Sequence, residues 1–154
     1  MIVKLFLSLF FCSLIVPSIS TSIQVVSGAS ESDHDIDAMQ TFATTFAKYM
    51  AQGAEDPELK ASITSSLRKD VEVTRREGSK VKKSNLIKEA VSHKYADLVQ
   101  AETPALIVID TDGVTFHWRA EVGPYEGETL SFKVVQVHDS DNYMVGKITL
   151  PKEP

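Results

Sequence analysis

Four histidines, His34, His93, His117 and His138, are the side chains best suited to move protons or hold a metal, and their spacing limits what they do. None lies within four positions of another, so no helix face gathers two of them and no metal site is expected. His117 stands between Thr115 and Arg119 on the polar side of an alternating stretch, where a solvated histidine is expected rather than a base. His138 shares the phase of Phe132, Val134 and Gln136, which puts it on the inward face of a strand. Asp139 or Asp141 would then be the group to orient it, although Asp139, being adjacent, points the opposite way. Asp110-Thr-Asp112-Gly113 has the start of a calcium loop but lacks its further oxygens and terminal Glu, so it is expected to be a tight turn. No Gly-x-Ser-x-Gly or glycine-rich phosphate loop occurs.

One run of charge stands out. Between Arg68 and Lys94 nine basic residues face four acids, with Arg75, Arg76, Lys80, Lys82 and Lys83 at the centre. Such a basic patch steers an anionic ligand or meets an acidic partner surface, unless it is a solvated hairpin and helix face. The chain as a whole carries a net charge of −5, which disfavours nucleic acid as a partner.

The elements that must position these residues follow from periodicity. Lys4 and the apolar run Leu5 to Val16, followed by Pro17 and small residues, have the pattern of a secretory signal over residues 1–20. The run is shorter than the roughly 20 residues a bilayer span needs. Cys12, the only cysteine, lies inside it, so the mature chain is expected to be extracellular, free of disulfides and not held in a membrane after cleavage. Residues 21–34 make a serine-rich lead, 35–150 one domain and 151–154 a tail. Within the lead, Gln24-Val25-Val26-Ser27-Gly28 is similar to the Q-x-V-x-G motif of cystatin-type protease inhibitors, but it precedes every helix, whereas that family carries it on a later hairpin.

Ser32, Asp33 or Asp35 caps a first helix whose Ile36, Met39, Phe42, Ala43, Phe46, Tyr49 and Met50 fall on one face, and Gly53 ends it. Pro57 opens a second helix, with Leu59, Ile63 and Leu67 in one stripe. A hairpin is expected over Val71 to Val81, then a third helix capped by Ser84 with Leu86, Ile87, Ala90 and Val91 buried. From Ala105 to Leu150 three alternating apolar stretches make an antiparallel meander, the clearest being Val114, Phe116, Trp118, Ala120 and Val122.

That order, together with Val114-Thr-Phe-His-Trp118, Glu128-Thr-Leu-Ser-Phe-Lys-Val-Val-Gln-Val137 and Met144-Val-Gly-Lys-Ile148 as closing strands, resembles the NTF2-like superfamily, whose small secreted members are familiar from nematodes. The resemblance spans about residues 35–150 and implies an α+β fold: a curved antiparallel sheet wrapped around three helices to form a cone. It further implies an apolar pocket in the cone and a homodimer through the outer face of the sheet, where Val135 and Val137 point. By pattern, the catalytic acids of its ketosteroid-isomerase-like members fall near Arg75 and at Gln136, neither of which is a carboxylic acid. Binding of a small apolar ligand without cofactor is therefore expected, the pocket being lined by Phe42, Phe46, Tyr49, Phe116, Trp118, Phe132, Val134, Gln136 and His138. The alternatives are an isomerase or dehydratase that uses His138, or Tyr49 with Gln136, and a cystatin-like inhibitor acting through Gln24 to Gly28.

Overall fold

A computed structural model of the chain describes residues 23–27, 34–53, 56–138 and 140–154. The expected signal, the cap candidates Ser32 and Asp33, Gly28 of the motif, and Asp139 lie outside these residues. In chain order the elements are β1 (Gln24–Ser27), α1 (Ile36–Gln52), α2 (Pro57–Ser66), β2 (Leu67–Arg75), α3 (Lys83–Val91), a short 3-10 turn (Ala96–Leu98), β3 (Leu106–Asp110), β4 (Gly113–Arg119), β5 (Thr129–Gln136) and β6 (Tyr143–Leu150).

Local chemistry explains the first two helices. The Asp35 carboxylate accepts the Ala38 amide at 3.0 Å and caps α1, and Gly53 closes it in the left-handed conformation, at φ 51°. Met39, Ala43, Phe46, Ala47 and Met50 form its buried face, while Phe42 and Tyr49 flank that face half-buried. Asp56 caps α2, with Pro57 at its first position. The third helix departs from expectation. Its N-cap is Lys82, which makes no capping bond, and Ser84 lies exposed inside the helix.

The six strands run in the order β1-β3-β4-β5-β6-β2. The meander β3 to β6 is antiparallel as expected, but β1 pairs parallel to β3 and β2 pairs parallel to β6, so the sheet is mixed rather than antiparallel throughout. The expected hairpin over Val71 to Val81 reduces to a turn and one bridge, Thr74 to Lys80. The lead supplies β1, an edge strand, so the first four residues of the Q-x-V-x-G stretch lie in a ladder and not at a hairpin tip. β4 stops at Arg119, and Val122, expected inward, is exposed.

All three helices contribute to one core against a single face of the sheet. Phe116 sits opposite Phe132, Trp118 opposite Leu130 and Val114 opposite Val134, every one of them buried. Phe46 of α1 meets Phe132 edge-on at a centroid distance of 4.9 Å, and Trp118 packs on Phe132 at 5.6 Å. Each such side chain contributes about 1.5–3 kcal/mol through burial. The other face, carrying Thr115, His117, Ser131, Lys133 and Thr149, stays partly solvated. The fold is thus α+β, with apolar residues on every second strand position turned toward the helices.

Candidate functional site

The nine residues expected to line a pocket are not gathered in one place. Phe46, Phe116, Trp118, Phe132 and Val134 are at most 1% exposed and form the packed centre of the core. Phe42 and Tyr49 stand at its margin, Phe42 against Tyr143. Gln136 and His138 are exposed. The inward row of β5 continues to Gln136, but no helix covers it there, and its side-chain amide donates instead to the Ser140 carbonyl at 3.1 Å. With His34, Arg68, Thr111 and Val135, these two line a shallow open cleft at the hairpin end of the sheet.

The basic patch is also redistributed. Arg75 is only 8% exposed, because it takes the inward position on β2 two residues after buried Val73. Arg76 pairs with Glu128 at 3.2 Å, and Lys83 donates to the carbonyls of Leu67 and Arg68, both at 3.2 Å. Lys80 and Lys82 remain exposed. What the sequence presents as one cationic surface is therefore mostly engaged in holding β2 to its neighbours.

Around Arg75 the chain assembles a polar cluster in an otherwise apolar setting. Its Nη2 donates to both carboxylate oxygens of Glu89 on α3, at 3.0 and 3.1 Å, and lies 2.9 Å from Oε1 of Glu153 in the segment after β6. Lys94 reaches the same two acids, at 3.4 Å to Glu89 and 2.7 Å to Glu153. The hydroxyl of buried Tyr95 donates to Glu89. Burial alone would lower the pKa of Arg75, but the fields of Glu89 and Glu153 outweigh it and hold the guanidinium more firmly charged. Lys94 follows the same logic, burial being outweighed chiefly by its bond to Glu153. Glu153 is held below the usual carboxylate range, first by its bond from Lys94 and then by the field of Arg75. Burial pushes the Tyr95 phenol far up, and its bond to Glu89 adds to that, so it acts as a permanent donor.

Among the described residues two buried donors in this region have no acceptor, Arg75 Nη1 and the indole Nε1 of Trp118. Their strands connect them. Trp118 pairs with Leu130, Ser131 pairs with Thr149, and Arg75 pairs with Leu150, so Trp118, Leu130, Leu150 and Arg75 occupy one inward row across β4, β5, β6 and β2. An unpaired buried donor costs about 1–3 kcal/mol, which makes two in one row a feature that asks for an acceptor. Glu89 and Lys94 belong to the charged run Arg68 to Lys94, but their meeting with Tyr95 and with Glu153, nearly sixty residues further on, was not legible. The one local clue was Arg75 itself, in phase with Val71 and Val73.

On the outer face, His117 Nδ1 lies 2.7 Å from the Ser131 hydroxyl, and Lys133 pairs with Asp112 at 2.6 Å and Asp110 at 3.3 Å. Asp110 and Asp112 thus face an ammonium group, in keeping with a turn. Among the described residues no three His, Cys, Asp or Glu side chains converge as a metal site requires, and no helix is long and apolar enough to cross a membrane. No family model, curated protein or solved structure matches the chain.

Proposed function

We propose that this chain is a secreted, non-enzymatic binding module of NTF2-like arrangement that takes a small, largely apolar ligand at the Arg75 end of its inward face. The observation that carries this reading is the pair of orphaned donors, Arg75 Nη1 and Trp118 Nε1, in one row of otherwise apolar side chains. The two donors stand at opposite ends of the row, three strand spacings or roughly 14 Å apart, so an acceptor at one end of a ligand satisfies Arg75, and the apolar body lies on the side of Trp118. The order helix, helix, strand, helix, meander, with the first long strand beside the last, supports the NTF2-like part of the reading. Absence of catalysis rests on the acids present: Glu89 is engaged by Arg75, Tyr95 and Lys94 and is not presented to a substrate. A homodimer through the outer face takes second place, because Val135 there lies over Gly113 and Gly146 beside the side chains of Lys133 and Arg68, with Met144 opposite, rather than in a broad apolar patch.

Trp118 is the only tryptophan and serves as the reporter. Its emission is expected to shift on titration with fatty acids, retinoids or sterols, and Leu130→Ala, which opens the row beside it, is expected to change the affinity. Emission insensitive to all three classes sinks the reading and leaves surface interaction as the function.

A further inference from the structure

We infer that Arg75 and Lys94 form a carboxylate-binding site, that Glu153 occupies it as a tethered stand-in, and that the ligand of the module carries a carboxylate that takes its place. This deepens the function proposed above and rests on it.

Three features converge. Arg75 and Lys94 face one fixed acid, Glu89, so without Glu153 the cluster holds one positive charge in excess. A second monoanion is what balances it. A phosphate dianion would instead leave excess negative charge beside Glu89, where burial makes that costly. Glu153 also uses the guanidinium incompletely: its Oε1 is shared between Arg75 Nη2 and Lys94 Nζ, while Arg75 Nη1 has no partner. A free carboxylate fits better, because it can accept from both Nη atoms in the forked geometry that guanidinium and carboxylate share. Finally, Glu153 is placed to leave. Its side chain is 54% exposed, and beyond the buried Pro151 the main chain beside it is held by a 3.5 Å contact from the Lys152 amide to Glu128. When the segment lifts, Arg75 and Lys94 open at the margin of the core, whose inward row continues through buried Leu150, Leu130 and Trp118, so a carboxylate head seats on the two cations with its apolar body against that margin.

The test compares decanoate with decanol on the full chain by Trp118 emission and calorimetry. Decanoate is expected to bind at least about tenfold more tightly than decanol, the margin of one charge-assisted contact. Glu153→Gln removes the charge of the stand-in and is expected to tighten decanoate by about tenfold while leaving decanol unchanged. Lys94→Gln is expected to weaken decanoate alone. Glu153 and Lys94 are partly exposed, so neither variant threatens folding as Arg75→Gln would. If decanoate and decanol bind alike, or if Glu153→Gln leaves decanoate affinity unchanged, the carboxylate site is overturned while the binding function stands. If neither compound binds, the function reading falls and takes this inference with it.

Discussion

His117 is the histidine whose surroundings change its chemistry. Half-buried on the outer face with Nδ1 2.7 Å from the Ser131 hydroxyl, it is pulled below its ordinary pKa of 6.5 by desolvation. A base with a lowered pKa in the folded state binds fewer protons there than in the unfolded chain. Its contribution to stability is therefore complete above about 6.5 and is lost as pH falls through the folded value. The melting temperature is expected to drop between pH 7.5 and 5.5, and His117→Asn, which keeps a hydrogen-bonding group without the titration, is expected to flatten that drop. Identical pH profiles for the two proteins would show that His117 is solvated in both states. The sequence placed His117 correctly on the polar side of β4, because alternation is local, but its partner Ser131 belongs to another strand. Arg75 is the same lesson with larger consequences: its phase was visible, and the two acids that neutralise it were not.

Elements whose ends are set by neighbours in sequence were legible, and those set by distant contacts were not. Asp35, Gly53, Asp56 and Pro57 mark α1 and α2 through their own backbones. The start of α3 is fixed elsewhere, by the Val81 amide donating to the Val73 carbonyl at 2.9 Å and by Lys83 reaching the start of β2, so the capping expectation at Ser84 failed. Gly53 couples the two kinds of constraint. It needs a positive φ, and a Cβ there would lie 2.6 Å from Cα of His93, in the turn that follows α3. Gly78 shares the positive φ, at 92°, but has nothing within 4 Å. Gly78→Ala is therefore expected to cost only backbone strain, about 1–2 kcal/mol, and Gly53→Ala about 3 kcal/mol or more once the clash is added. Urea unfolding of both variants checks this, and equal losses would mean that the turn at His93 yields.

At the scale of the molecule, the sheet joins a legible middle to two edges that no local pattern announces. Hairpin turns connect β3, β4, β5 and β6, whereas β1 and β2 enter by parallel pairing with strands far along the chain. A four-residue strand with exposed Val25 and Val26 resembles a loose lead, because its only structural role is to cover the edge of β3. That role has a directional signature. The Gln24 amide donates toward the Ala105 carbonyl, so two residues on the Val26 amide also faces β3, and the Val25 amide faces solvent. Proline tolerates an edge strand only where its missing N–H would face water. Val25→Pro is expected to change stability by less than about 0.5 kcal/mol and to stay monodisperse at any concentration at which the parent does. Val26→Pro is expected to cost about 1–2 kcal/mol and to release β1, leaving β3 with an open row of backbone groups beside half-exposed Leu106 and Val108. Sedimentation should then show concentration-dependent association for Val26→Pro, and Val108→Lys on the same background should suppress it by placing a charge on the bared edge. Two proline variants that behave alike would mean that β1 does not pair with β3 in solution, and the sheet would then have five strands.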